Sequence, residues 1–478
     1  MTSVKNWYRV LLAGLVLLSL FTLNISPLPW YDEIDFASIT RSYMDNKTFV
    51  CTANDLYFPD KNTEVLYYGP VYFWVNSILL KVFGTGMVQF RIVNFLSGLV
   101  CVSLFIKIFS RLNGKTYHPA TKIVFAFLVL SDYTYMQDMH SGRMDLLALL
   151  FVLAGILLAD TFSQKLVPAF LLSGILIATG LLTTPRMYII ILPYYGYLLY
   201  TYIRTRRKNI LIGLVCATLT ATALYFAWII IAFGTPAKFI SYLNTGTSYF
   251  DTAAGGFFLL YSEMPFYQAV YYVALLILIV LAVIRDYKIL LMPGNMIALG
   301  TIVLFLAFGG GSVINMCLVT GFIGMLFINV GNAVTNDKNV FVSLLLVINV
   351  GLAGYKYTVV LRSYEQRSSG ELDKWVQTMI PQQAKVVADD KYYYAVVKDG
   401  SKFQYFARGG EEDERVAYHK NVWKADYLFV SDTMNTLFDK YKNSARLIFK
   451  GEYGSAKGIG QQAGITGSYH GFLFRFVQ

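Results

Sequence analysis

Apolar stretches alternate with short polar breaks along most of the chain. Each stretch comes close to the roughly 20 residues that a helix needs to cross a bilayer, so each predicts a membrane span. The pattern predicts about eleven spans, or up to about 13. The predicted spans lie near residues 9–26, 87–110, 119–137, 144–161, 166–183, 187–203, 209–233, 266–284, 289–308, 312–331 and 339–360.

Basic side chains gather at alternate breaks between these spans, and clusters of Lys and Arg are typical of cytoplasmic loops. If Lys5 and Arg9 remain in the cytoplasm, the loops at 111–118, 204–208, 285–288 and 332–338 all fall on that side. The opposite, external face then receives the loop at 27–86, the turn at 137–143, the loop at 234–265 and all residues after 355. We therefore expect any chemistry to occur on the external face.

The composition changes to that of a soluble domain after residue 360. Within it, residues 371–380 and 433–441 predict helices, and 384–388, 392–397, 425–430 and 472–477 predict strands. The expected fold class is thus mainly α. A polytopic membrane helix bundle at residues 1–360, which includes a first external loop at 27–86 with interfacial helices, precedes a small α/β or α+β external domain at 361–478.

Composition and charge support an integral membrane protein. Hydrophobic residues make up 56% of the sequence and charged residues 14%, whereas charged residues form about a quarter of a typical soluble protein. The formal net charge of +11 arises largely at the ends of spans, where topology explains it, so we expect no nucleic-acid partner. The four cysteines lie mostly in apolar runs and predict neither a disulfide framework nor a cysteine metal site.

The first external loop carries an unusual group of acids. Asp32, Glu33 and Asp35 place three carboxylates within four residues at the mouth of a span, where burial in lipid would be costly and water is near. One interpretation is that they serve chemistry. The other is that Asp32 caps a short helix that lies on the membrane surface, with Asp35 and Arg41 facing water. The residues alone leave both open.

More ionisable residues lie at the predicted outer ends of the third to fifth spans. Asp138, His140, Arg143 and Asp145 surround one short turn, and Arg186 follows the fifth span. Such groups suit a cavity open to both lipid and water, although outer charges also simply mark where a bilayer stops. His140 with Asp138 is a weak candidate for a metal site, because a real site needs three or four converging ligands; a polar turn is the alternative.

Arg91 lies about one turn inside the outer end of the second span. An unpaired guanidinium there would be costly, so we expect it to pair with an acidic residue of the first loop.

Several motifs in order along the chain resemble those of the GT-C superfamily of integral-membrane glycosyltransferases. The runs Asp32–Arg41, Tyr68–Trp74, Arg143–Asp145, Thr183–Arg186 and Met264–Tyr267 resemble segments of the protein O-mannosyltransferase branch and of the bacterial aminoarabinose transferase. Each motif alone is weak, but their order on the predicted external face makes the set more specific. That family also has a soluble external domain after its last span.

The resemblance implies an enzyme that moves a single sugar from a polyprenyl phosphate to an acceptor lipid, glycan or protein on the external face, with inversion at the sugar. Asp32 is then the expected general base, beside Glu33 in the catalytic site. No cofactor is expected to be required, and a divalent metal is optional. The expected substrate-binding residues are Arg143, Asp145, Arg186, Arg91, Tyr68 and Tyr267.

The sequence also departs from the family pattern. Relatives often carry a lysine where this chain has Gly69, and the basic residue of their Thr-Lys turn is displaced to Arg186. One cation that would hold a phosphate is therefore missing or supplied from elsewhere, and the identity of the donor sugar does not carry over.

Three other functions stay open at this stage. A transferase of whole oligosaccharides would require a divalent metal and a diphosphate donor, a transporter would place ionisable residues at mid-membrane, and an assembly protein would have no catalytic base. A bacterial inner membrane, with the site on the periplasmic side, is favoured because Asn46–Thr48 would be a glycosylation acceptor in a secretory pathway.

Overall fold

A computed structural model describes residues 2–54, 64–66, 68–162, 167–247, 266–308, 313–334, 338–398, 400–407, 411–431, 436–454 and 468–477. Helices dominate up to residue 362. They are α1 (Thr2–Phe21), α2 (Tyr31–Asn46), α3 (Val71–Phe83), α4 (Met87–Leu112), α5 (Pro119–Leu130), α6 (Tyr133–Met139), α7 (Asp145–Phe162), α8 (Val167–Leu181), α9 (Tyr188–Thr205), α10 (Lys208–Phe233), α11 (Pro236–Thr247), α12 (Phe266–Asp286), α13 (Pro293–Phe308), α14 (Cys317–Val334) and α15 (Lys338–Arg362).

Every predicted span coincides with a helix, which confirms the mainly helical architecture. Among the described residues, the helical stretches Met87–Leu112, Lys208–Phe233 and Ser343–Arg362 are long and apolar enough to cross a bilayer. Shorter apolar helices account for further predicted spans. The number of spans and their orientation remain predictions.

The predicted span at 119–137 is interrupted. Helix α5 ends at Leu130, and α6 begins two residues after Ser131. The Asp132 carboxylate caps α6 by accepting hydrogen bonds from the amides of Thr134 and Tyr135, each at 3.0 Å. This cap satisfies amides that a new helix start leaves without partners. The break gives α6 its own direction and so sets where the following turn lies.

Helix α7 runs through the centre of the bundle. Leu146, Leu149 and Val152 are fully buried along it, and the helix packs against α4 and α8. A helix that is apolar all round is typical of such a central position. Asp145, its first residue, therefore lies at the mouth of the bundle's core.

The residues after 362 form a separate α/β unit around a mixed sheet. Strands β2, β1 and β3 are parallel, and β5 is antiparallel to both β3 and β4; the strand order is β2-β1-β3-β5-β4. The helices are α16 (Tyr364–Arg367), α17 (Ser369–Met379), α18 (Tyr393–Val397), α19 (Glu412–Ala417) and α20 (Thr436–Ser444), and the strands are β1 (Lys385–Ala388), β2 (Lys402–Tyr405), β3 (Tyr427–Val430), β4 (Arg446–Tyr453) and β5 (Gly471–Val477).

The strand predicted at 392–397 is wrong, since this segment is a short helical turn followed by α18. All its side chains are buried, and an apolar run that is buried on every side carries no periodicity to separate strand from helix. Strands β2 and β4 were not predicted. The exposed positions along β4 do not produce the clean alternation that marks a strand covered on one face.

The polar face of α2 does not face water as the surface-helix interpretation expects; the C-terminal domain covers it. Asp35 is only 9% exposed, and its Oδ1 accepts a hydrogen bond of 3.0 Å from the Tyr405 hydroxyl. Arg41 donates to the Val397 carbonyl at 2.9 Å. The loop that follows α2 joins the same contact through Gln404, which donates to the Thr52 carbonyl at 2.9 Å. The domain thus holds the first loop in place.

Candidate functional site

Helix α2 presents Asp32 in its first turn. The helix begins at Tyr31, so its N-cap position is Trp30, whose side chain makes no capping hydrogen bond. Asp32 lies inside the helix, and the interpretation of Asp32 as a capping residue is therefore wrong. A carboxylate in the first turn is still favoured by the positive end of the helix dipole. The Asp32 side chain is 28% exposed, which leaves it accessible from outside the protein.

Arg143 stands opposite Asp32, at the end of a turn that neighbouring side chains fix. The Ser141 carbonyl accepts a hydrogen bond from Asn94 at 3.0 Å, and the Gly142 carbonyl accepts one from Tyr72 at 2.6 Å. The Arg143 guanidinium donates through Nη1 to Asp32, and its plane lies 5.6 Å from the centre of the Trp30 ring. The first loop and the turn after α6 are therefore joined by a charge-assisted hydrogen bond.

Two further carboxylates meet the same guanidinium. Arg143 Nε lies 2.9 Å from Asp145 Oδ2 and 3.4 Å from Asp138 Oδ1. Burial alone would lower the pKa of Arg143, but Asp145, Asp32 and Asp138 together raise it above its ordinary value. The cation is therefore permanent, as an arginine in a ring of acids should be.

Asp138, like Asp145, is fully buried, but its distance of 3.4 Å from the guanidinium is the longer of the two. Burial and then the charge of Asp145 raise the pKa of Asp138 well above its ordinary value, although Arg143 opposes this. A carboxyl group with such surroundings binds its proton more tightly than an exposed one.

A second arginine completes the group. Arg186 lies in the short helical turn Pro185–Met187, is 32% exposed, and approaches Asp145 Oδ1 to 3.8 Å. Asn315 links the two arginines, since its Oδ1 accepts hydrogen bonds of 2.9 Å from Arg186 and 3.1 Å from Arg143. We call Asp32, Asp138, Arg143, Asp145 and Arg186 the arginine–carboxylate cluster.

Tyr68 and Gly69 bring the end of the first loop to this cluster. Burial raises the pKa of Tyr68, partly offset by the nearby charge of Arg186, so its phenol remains a hydrogen-bond donor. A Cβ atom on Gly69 would lie 2.0 Å from the Leu182 carbonyl oxygen. No side chain fits there, which explains why a lysine is absent. The close contact instead places the turn that carries Arg186 beside the loop.

Glu33 and Arg91 form a separate, fully buried ion pair. The guanidinium donates from Nε and Nη2 to the two carboxylate oxygens, each at 2.7 Å, and the side chains are 0% exposed. Arg91 also donates to the carbonyls of Leu23 and Pro27 at 2.7 and 3.0 Å. The expected pairing of Arg91 with the first loop is confirmed. The structure does not bring this pair into the arginine–carboxylate cluster.

His140 is held as part of a polar turn. Its Nδ1 donates to the Ser26 carbonyl at 3.0 Å, so Nε2 accepts the 2.6 Å hydrogen bond from the Ser19 hydroxyl. Burial, reinforced by Lys356, lowers the pKa of His140 to about 3, which keeps the ring neutral. Both nitrogens are occupied, and in the described part of the chain no group of three or more His, Cys, Asp or Glu side chains is arranged so that it could hold a metal ion.

Two residues of the site were not predicted from the sequence, and the side chain of one predicted residue, Tyr267, lies outside the described residues. Asn315 and Trp30 contact Arg143. Asn315 could have been identified in the sequence as a polar residue where an apolar span begins. Tyr267 lies in α12, but its side chain is outside the described residues, as is most of the Met264–Tyr267 motif.

Known proteins resemble this chain in part of its sequence and in its whole fold. Residues 68–230 match the family model described as dolichyl-phosphate-mannose-protein mannosyltransferase. No curated protein has a matching sequence. The crystal structure of ArnT from Cupriavidus metallidurans in the apo state matches with a TM-score of 0.58 and 11% identity, over 99% of this chain and 98% of that one. The same protein bound to undecaprenyl phosphate gives 0.58 and 12% over 98% of each chain.

A more distant match is the apo oligosaccharyltransferase of Archaeoglobus fulgidus, with a TM-score of 0.50 and 12% identity over 93% of this chain and 73% of that one. These findings confirm the resemblance that the motifs suggested. At such low identity the solved structures establish the fold. The family match spans Arg143, Asp145 and Arg186 but begins after Asp32.

The protonation of Asp138 can be tested through stability. In the unfolded chain this carboxyl loses its proton near its ordinary pKa of about 4, whereas the folded protein retains it to higher pH. Folding therefore loses stability at this group as the pH rises from about 4. We expect Asp138→Asn, which is neutral at every pH, to be at least as stable as the parent at pH 7 to 8, with the difference shrinking at pH 5. Thermal unfolding in detergent across this range measures it. A stability deficit of the Asn variant that grows as the pH rises from 5 to 8 would mean instead that Asp138 is ionised in the folded protein.

The contact at Gly69 gives a second test. Gly69→Ala must push the Leu182 backbone away, and we expect a loss of about 1–3 kcal/mol in the free energy of unfolding, typical of overpacking. Gly351→Ala is the matched control, because a Cβ there has no neighbour within 4 Å. Thermal unfolding of both variants checks this. If Gly69→Ala unfolds like the control, the close contact does not exist.

Proposed function

We propose that the protein, an integral membrane protein with the fold of the GT-C glycosyltransferases, transfers one sugar from a polyprenyl phosphate to an acceptor on the external face of the membrane. The acceptor is a lipid, a glycan or a protein. The observation that supports this most directly is the position of Asp32, a partly exposed carboxylate paired with Arg143, which Asn315 links to the second arginine, Arg186. A general base and fixed cations at one spot are what transfer from a phosphate requires.

A lipid-linked donor fits the place of the cluster in the fold. Asp145 begins an apolar helix, and Arg186 follows another, so the cluster lies where a bundle of apolar helices meets the polar first loop. The isoprenoid tail can remain among lipids while the sugar phosphate reaches the charged groups. That ArnT was crystallised with undecaprenyl phosphate supports the same class of donor here.

In the proposed reaction, the acceptor hydroxyl or amine attacks the anomeric carbon while Asp32 takes its proton. The bond from that carbon to the phosphate oxygen breaks, its electron pair remains on the phosphate, and the configuration at carbon inverts. Polyprenyl phosphate leaves with an added negative charge. Arg143 and Arg186 stabilise this charge, and Asp145 and Asn315 keep both guanidinium groups oriented.

Other predicted residues take supporting roles. Tyr68 donates a hydrogen bond to the phosphate or the sugar from beside the cluster. Glu33 and Arg91 brace α2 against α4, so that Asp32 keeps its place. Tyr267 is retained as a contact to the donor. The site faces the periplasm of a bacterial inner membrane.

Replacing Asp32 tests the base. We expect Asp32→Asn to lower transfer by about 10²- to 10⁴-fold, the usual contribution of a positioned general base, without weakening the binding of undecaprenyl phosphate, because the variant removes the carboxylate that pairs with Arg143. Release of polyprenyl phosphate from labelled donors in membranes measures transfer. Asp45→Asn, on an exposed position of the same helix, is the control and should be fully active. Normal turnover in Asp32→Asn would remove Asp32 from the mechanism.

The need for a metal separates this proposal from an oligosaccharide transferase. In the proposed reaction the two arginines hold the leaving phosphate, so we expect transfer to continue after treatment with a chelator. The same assay, run with and without EDTA and with added Mg²⁺ or Mn²⁺, measures this. Loss of activity that either cation restores would favour the metal-dependent, diphosphate-using class instead.

A further inference from the structure

A cavity of about 330 Å³ lies between the membrane part and the C-terminal domain. It is bounded by the segment from Ser26 to Trp30, by α6, by the outer end of α15 and by the chain that follows β1. Trp30 belongs to both regions, since it lines this interdomain cavity and its ring contacts the Arg143 guanidinium. The cavity is therefore next to the arginine–carboxylate cluster, with Asp32 two residues beyond the shared tryptophan.

Cationic side chains dominate the lining of the interdomain cavity. Lys356, Arg367 and Lys391 contribute positive charge, and Asp390 is the one acidic residue among the lining residues that the structure describes. His140 also lines the cavity, but its ring is neutral and both nitrogens are bonded within the protein. The net charge of the lining therefore favours an anion.

Among these residues, Lys356 gives the strongest evidence that the cavity binds an anion. It is 8% exposed, and its ammonium lies 5.0 Å from the centre of the Tyr133 ring. Within the described ranges it forms no hydrogen bond and no ion pair. Asp132 attracts it, but the Oδ1 of that carboxylate is engaged in capping α6. Since the described residues offer this ammonium an aromatic ring and a nearby charge but no hydrogen-bond acceptor, an anion in the cavity would supply one.

One edge of the C-terminal sheet, where sheets of this kind bind ligands, also lies at the interdomain cavity. Its parallel strands lie in the order β2-β1-β3, and in sheets with this order ligands bind at the carboxyl ends of β1 and β3, where the strand order reverses. Asp390 and Lys391 follow the carboxyl end of β1 and line the cavity. Lys391 donates to the carbonyls of Ser468 and His470 at 2.8 and 3.2 Å, which leaves one of its three protons for a ligand.

We infer that the interdomain cavity binds a phosphate or carboxylate group carried by the acceptor, with Lys356 and Lys391 as its direct contacts. The volume is within the range of small-ligand sites. Trp30 then separates the anchored anion from the reacting end of the acceptor, which reaches Asp32. The assignment to the acceptor rests on the proposed function, whereas anion binding in the cavity does not.

Binding of inorganic phosphate tests the inference without a donor or an acceptor. In nanodiscs of phosphatidylcholine, titration calorimetry should detect saturable binding by the parent protein. We expect Lys356→Gln to weaken it about tenfold, the effect of one charge-assisted hydrogen bond, and Lys391→Gln to weaken it similarly from the other side. Lys107→Gln and Lys374→Gln, at exposed lysines outside the cavity, are matched controls and should bind like the parent.

The outcomes separate the possible failures. Absence of saturable binding, or parental affinity in both cavity variants, would overturn the inference. Nanodiscs that contain phosphatidylglycerol identify the source of the anion: unchanged binding of added phosphate supports the acceptor, whereas its loss would show that a lipid headgroup occupies the cavity and would overturn that assignment. Because Asp32 does not line the cavity, Asp32→Asn should leave the effect of Lys356→Gln on phosphate binding unchanged, so a failure of the proposed transfer reaction would appear in turnover alone.

Discussion

The arrangement of the candidate site depends on the guanidinium of Arg143. It is 4% exposed, yet it meets Asp32 from the first loop, Asp145 from α7 and Asn315 from the turn before α14. A buried cation is tolerable only when its donors are all paired. Segments far apart in sequence must therefore converge on this residue, and their convergence creates the accessible carboxylate beside two arginines.

Helical geometry explains why three neighbouring acids have three different partners. Successive residues of a helix point about 100° apart, so Asp32 and Glu33 diverge, whereas Asp35 lies about one turn further along the helix axis. Asp32 faces Arg143, Glu33 faces Arg91 and the hydroxyl of Tyr394, and Asp35 faces Tyr405 and Cys51. The last two sets of contacts fix the rotation of α2 about its axis. The buried acids thus determine the direction of the exposed one.

Hydropathy and composition were enough to predict the helical bundle and the change to an α/β unit after it, and the cost of an unpaired guanidinium was enough to predict the pairing of Arg91 with the first loop. The sequence could not predict the cover over α2, because Tyr405 lies 370 residues from Asp35 and periodicity reports only whether a face is polar, not what it touches. Asn315 was missed for the same reason: its role depends on two arginines from other segments. The short buried helix α18 was mistaken for a strand because uniform burial removes the periodic signal.

The pairing of Asp32 with Arg143 has a consequence for the proposed reaction. While the ion pair is intact, the carboxylate and the guanidinium neutralise each other. A donor phosphate would compete with Asp32 for Arg143, and Asp145 would hold the guanidinium in place through the exchange, since its bond to Nε is independent of Nη1. Arrival of the anion would thus free the base at the moment the leaving group is bound. Burial raises the pKa of Asp138, which favours the neutral form of a carboxyl group that would otherwise oppose the phosphate. The cluster can therefore bind an anionic donor while it releases the Asp32 carboxylate from Arg143.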